Sequence, residues 1–191
     1  MKLSSIISLS DSISEQYDIS DPVRLCRQAG VILLYFPMGC SRKACKGFVI
    51  RQEQNTAITV NSDISPDMQR IVIYHELAHF FLHISTGIAD ALQDCAVGCP
   101  VSDMEYEADL LSAELALRDA AVLEALSSGA DFFEAAAMLH CPPEILDFKL
   151  RIMRERGYSL PDAPIESCGG CLGIAADPGF SFDTALQKHY A

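Results

Sequence analysis

The stretch IVIYHELAHFFLH, residues 71–83, sets two histidines four positions apart with a glutamate directly after the first. Residues four apart on a helix are offset by only about 40°, so the rings of His75 and His79 can converge on one point. Neutral imidazole nitrogen is a standard zinc donor. Glu76 projects about 100° round from His75, beside the pair rather than between them. That position suits a general base acting on a metal-held water better than it suits a third ligand.

A catalytic zinc takes three protein ligands and keeps one position for water. The acidic cluster DMEYEAD, 103–109, is the natural source of the third. Glu105 and Glu107 are both candidates, 26 and 28 residues after His79, and spacing alone does not choose between them. Asp109, one turn past Glu105, is placed to orient a ligating histidine through its other ring nitrogen. His83 continues the histidine stripe, but a straight helix carries it about 6 Å further along per four residues. It is expected outside the ligand set, either supporting a ligand from behind or at the rim, with direct ligation as the alternative. His140 and His189 show no partner pattern and are assigned no role.

The trio lies within a strongly apolar run, where each unpaired polar group would cost roughly 1–3 kcal/mol. Coordination relieves that cost for two groups at once, and the flanking signals supply the helix such a site needs. Ser65 is a good N-cap, Pro66 suits the first helical position, Asp67 favours the positive helix end, and Gly87 suits the exit. A second long helix is predicted from about Asp103 to Leu126, capped by Ser102, after a loop over 88–102. Upstream, Ser20 or Asp21 caps a short helix that begins at Pro22 and leaves at Gly30. VILLYF (31–36), GFVIRQ (47–52) and TAITVN (56–61) read as strands, the last two joined by a hairpin turn.

The expected architecture is α+β. It has a small N-terminal three-stranded sheet, a central histidine helix, a second long helix carrying the acidic ligand, and C-terminal helices. Residues 1–127 form the main domain, with 1–19 expected to be flexible. Residues 128–157 form a helix-turn-helix-like extension, and 158–191 an irregular Gly/Pro/Cys-containing tail.

Half the residues are hydrophobic, so most of the chain can be folded. The net charge of −12 disfavours sequence-independent binding to a phosphate backbone or an anionic membrane surface. No apolar run approaches the roughly 20 residues that span a bilayer, and the opening MKLSSIISLSDSISEQ is too polar for an export signal. A soluble cytoplasmic protein is expected. In that compartment the eight cysteines are expected to be reduced thiols, and the CGGC at 168–171 supplies at most half of a second zinc site.

The order of these features resembles the ImmA/IrrE family of zinc metallopeptidases, zincins of gluzincin-like type. The residues that carry the likeness are RQAGVILLYF, GFVIRQEQNTAITVNSDIS, RIVIYHELAHFFLH and EYEADLLSAELAL, within about 20–156. The resemblance implies one zinc on His75, His79 and Glu107, with Glu76 as catalytic base. Glu107 is preferred there because it immediately precedes the alanine of the family's motif. This chain reads ELALRD where the family commonly closes on a proline, which puts the end of that helix in question. Family members characteristically cleave a helix-turn-helix repressor and so release genes of mobile elements or stress responses. The resemblance therefore implies a regulatory protease with a protein substrate. The basic residues Lys149, Arg151, Arg154 and Arg156 are expected to pack or bind a partner rather than contact nucleic acid. The rival reading is a non-proteolytic regulator or toxin–antitoxin component with a structural zinc site.

Overall fold

The computed structural model describes residues 2–41, 44–84 and 101–168, with the side chains of 101 and 102 excepted. The strands form where the apolar alternation predicts them: β1 Val31–Phe36, β2 Gly47–Gln52 and β3 Asn55–Asn61. Their order is β1-β3-β2. β3 is the central strand, parallel to β1 (Val31 opposite Thr56) and antiparallel to β2 (Gly47 opposite Val60). The β2–β3 turn carries Glu53 at φ +54°.

Seven α-helices are present among the described residues. In chain order they are α1 Leu3–Gln16, α2 Pro22–Gln28, α3 Pro66–His79, α4 Val101–Ala116, α5 Asp119–Ser127, α6 Phe132–Met138 and α7 Pro143–Glu155. Asp21 caps α2 through the Val23 amide, and Ser65 caps α3 through the Met68 amide, each ahead of its proline. The structure is thus α+β, a small sheet with helices packed on it, consistent with a minimal zincin-like fold. α3 lies against both the sheet and α4. Its Ile71, Leu77 and Ala78 share one core with Leu111 of α4 and with Ile145 and Phe148 of α7. No helix among the described residues is long and apolar enough to cross a membrane.

Residues 3–16 form a regular helix. Ile6 and Ile13 are buried, and α1 packs on α4 and α7. Its serines are compatible with the helix because their hydroxyls bond back one turn. Ser8, Ser12 and Ser14 donate to the carbonyls of Ser4, Ser8 and Ser10 at 2.8–3.0 Å.

The second long helix is two helices. α4 stops at Ala116, whose carbonyl accepts from Arg70 Nη1 at 3.1 Å, and Arg118 adopts an extended backbone, φ −77° and ψ 137°. Lys149 bridges the break. Its ammonium lies 2.6 Å from both Glu114 and Asp119, one on each side. Arg156 joins the same group, 2.9 Å from Glu114 and 2.6 Å from Asp11.

The segment expected as an irregular tail follows α7 without regular structure, yet part of it is tied down. Ser167 donates its amide to Asp147 at 3.0 Å and accepts from Arg151 at 2.9 Å; Arg154 donates to the Pro161 carbonyl at 2.8 Å. All four basic residues of α7 and its C-cap therefore engage acceptors of this chain. The expected loop over 88–102 falls almost entirely outside the described residues, as do Gly87, His189, Cys171 and the tail from 169 onwards. The described cysteines, 26, 40, 45, 141 and 168, are free thiols.

Candidate metal centre

α3 enters the site from a core that holds it on several sides, and eight of its consecutive residues, Ile71–Ala78, are buried. His75 and His79 project from one face of it. Their Nε2 atoms are 3.1 Å apart, and the rings meet edge to face with centroids 4.8 Å apart. From α4, Glu105 straddles the pair, its Oε2 3.4 Å from His75 Nε2 and its Oε1 3.4 Å from His79 Nε2. His75, His79 and Glu105 are the group among the described residues that can hold a metal ion.

The third position departs from what the resemblance implies. Glu105 meets the histidine pair, while Glu107 is turned to His83, its Oε2 3.6 Å from His83 Nε2. Asp109 lies one turn beyond Glu105 and faces the other nitrogen of the first histidine, Oδ1 to Nδ1 at 3.1 Å. An Nδ1–H donated to Asp109 leaves the lone pair of His75 Nε2 aimed at the cluster's centre. The spacing of four between Glu105 and Asp109 thus puts a ligand candidate and an orienting carboxylate on one face of α4. The alanine-based alignment that favours Glu107 takes no account of which face meets α3.

The donor set fits a zinc ion. Bonds of about 2.0–2.1 Å at tetrahedral angles set donor atoms about 3.3–3.4 Å apart; the two Nε2 atoms are 3.1 Å apart, a different Glu105 oxygen lies 3.4 Å from each of them, and one ligand atom from each residue falls within 4.8 Å of the others. The electrostatics agree. Burial lowers the pKa of His75, but hydrogen bonds to Asp109 and Glu105 outweigh it and raise it to about 10. Burial raises Glu105, yet the two histidines hold its carboxyl well below the usual range. The cluster therefore favours positive charge at its centre, and a divalent cation supplies more of it than one proton does.

Glu76 is 7% exposed and stands beside the cluster. Burial pushes its carboxyl up, against the pull of His75 and His79, and the Val49 amide of β2 donates to it. An elevated carboxyl suits a group that must gain and release a proton near neutral pH.

Residues of β2 complete the surroundings, and the motif-based reading missed them. A Cβ on Gly47 would sit 2.5 Å from Val72 Cγ1 and 3.1 Å from the Thr59 carbonyl, so only glycine lets β2 run this close to α3. A glycine opening a strand pattern is the signal for such an approach. Arg51 reaches across from β2 to the Ile84 carbonyl at 3.1 Å.

Phe80–Ile84 form a π-helical turn, a feature common at functional sites. It sets His83 behind the histidine pair, its Nδ1 3.4 Å from His79 Nδ1. Burial, reinforced by His79, lowers its pKa to about 4. His140, assigned no role, pairs with Asp67 at 3.0 Å on the surface.

Residues 26–151 match the family model described as the IrrE N-terminal-like domain, Peptidase_M78. A comparison with curated proteins finds no match.

Proposed function

The chain belongs to the IrrE N-terminal-like (Peptidase_M78) family, and from that premise we propose that it is a zinc-dependent endopeptidase whose substrate is another protein. The observation that carries this reading is the convergence of His75, His79 and Glu105 beside a buried glutamate. His75, His79 and Glu105 hold the ion, Asp109 orients His75, and Glu76 is the base. A bound zinc there supplies Lewis-acid polarisation of the scissile carbonyl and acidifies a water. Glu76 accepts the proton of the attacking water and passes it to the departing amine. Its burial keeps the carboxylate poised for that exchange, and the Val49 amide fixes its orientation.

The sheet supports a peptide substrate in particular. β2 is an edge strand. The Val49 amide points to Glu76 rather than to β3; Lys46, of opposite parity, accepts from Asn61 on the β3 side. By alternation, the backbone groups of Gly47, Val49 and Arg51 line the outer edge beside Glu76, where Glu76 holds the Val49 amide and the Cys45 thiol donates to the Gly47 carbonyl at 3.4 Å. An extended chain that pairs along this edge would share or exchange those contacts.

The substrate is proposed to be a helix-turn-helix repressor, cut to release genes of a mobile element or stress response in the cytoplasm. The family resemblance supports that choice. The rival, a non-proteolytic regulator with structural zinc, calls for a site closed by four ligands; among the described residues the cluster offers three. The test is co-incubation of the zinc-loaded chain with a helix-turn-helix repressor encoded beside it, with fragments read by mass spectrometry. Wild type is expected to cut. Glu76→Gln should retain zinc and lose about 10²–10⁴-fold in rate. Full turnover by that variant removes Glu76 as the base; zinc uptake with no cleavage and with DNA binding favours the rival.

A further inference from the structure

We infer that His83 and Glu107 are a positioning pair that fixes the tautomer and aim of His79. The inference rests on the metal-site reading and extends it to residues outside the ligand set.

Neutral imidazole carries one donor and one acceptor nitrogen. His79 turns Nε2 to His75 and Glu105, and turns Nδ1 to His83 Nδ1 at 3.4 Å. If His79 Nε2 gives its lone pair to a cation, the ring's hydrogen must sit on Nδ1. His83 Nδ1 then accepts that hydrogen, so the hydrogen of His83 belongs on its own Nε2. That nitrogen faces the Glu107 carboxylate at 3.6 Å, an ion-pair separation rather than a short hydrogen bond. At that separation the carboxylate acts through its charge, which favours a hydrogen over a lone pair on the nitrogen that faces it. Glu107 thereby biases the hydrogen placement of two rings in series, and the reverse placement would block His79 as a ligand.

The first histidine reaches the same state by a shorter route, through Asp109 at 3.1 Å. Both ligating rings are thus referenced to carboxylates of α4, one directly and one through a second imidazole. The fold holds the longer route in place. The π-helical turn carries His83, which is buried and lies with its ring 5.3 Å from that of His79. Arg51 grips the carbonyl that ends the turn.

The test uses the full chain and zinc alone. Long-range ¹⁵N–¹H imidazole spectra of the zinc-loaded wild type should show His79 protonated at Nδ1 and His83 at Nε2. In chelator competition, His83→Phe should weaken zinc binding by about 10–100-fold. His83→Asn, whose Oδ1 can accept from His79, should restore most of it; Glu107→Leu should resemble His83→Phe, and Glu107→Gln should not. A His83 ring protonated at Nδ1, or His83→Phe binding zinc as tightly as wild type, overturns the pair and leaves the metal site standing. A wild-type chain that takes up no zinc overturns both. If His83→Phe does not fold, the wild-type spectra alone decide.

Discussion

Two clusters of charged and polar groups, each centred on a buried side chain, flank α4, and they are built on opposite plans. Near its C-terminal end, Lys149 is 1% exposed, yet its ammonium meets Glu114 and Asp119 at 2.6 Å, while Arg156 ties Glu114 to Asp11. Cations and anions answer one another there, and the group is complete with the protein's own atoms. Nearer the N-terminal end, two Nε2 atoms and a carboxylate converge, and Asp109 and His83 lie against the other nitrogens of the two rings. The same helix thus carries a cluster that closes on itself and one whose donors suit an added cation. Burial of charge does not by itself mark a functional site; the direction of the donor atoms separates the two.

The largest effect that can break this comparison lies at the closed cluster. Lys149→Ala leaves Glu114 and Asp119 without their shared cation, and breaking such a buried pair costs about 3–5 kcal/mol. The urea midpoint should fall accordingly, while zinc uptake per folded chain is unchanged. A loss within the roughly 0–1 kcal/mol of surface pairs would show that the cluster is not closed.

The next effect lies at the open cluster. Glu105→Ala should cost more zinc affinity than the 10–100-fold typical of outer partners, and Glu107→Ala should stay within that range. Chelator competition ranks the two, and a reversed ranking returns the third-ligand role to Glu107. The smallest effect is chemical. Burial pushes the thiols of Cys26 and Cys141 up to about 12. At pH 8 both should therefore remain protonated and resist iodoacetamide until the chain unfolds, because the thiolate is the reactive form. Exposed Cys40 and Cys168 should react ahead of both, as peptide mass spectrometry would show; early labelling of Cys141 would mean that the packing around α6 and α7 opens readily.

Much of this was legible in local sequence. Asp21–Pro22 and Ser65–Pro66 mark true helix starts because a cap and a proline act on the turn they begin. The strands announced themselves through apolar residues within a few positions of one another. Less legible was what depends on distant partners. The parallel pairing of β1 with β3 depends on a crossover, and α4 ends where Arg70, 46 residues upstream, takes the Ala116 carbonyl. Nothing within ELALRD announces that partner. α1 was masked by serines whose hydroxyls the helix itself satisfies. At the site, helical spacing alone places His75, Glu76 and His79, whereas choosing Glu105 over Glu107 requires knowing which face of α4 meets α3.

Substrate docking on the outer rim of β2, as proposed above, would have a consequence for what is cut. Amide and carbonyl groups are common to every polypeptide, so docking through them would select for shape: a segment would have to be stretched out and unpaired before it fits. Compact partners would then be spared except at loose connectors, and anything that frays such a connector would open it to attack without any change in the protease.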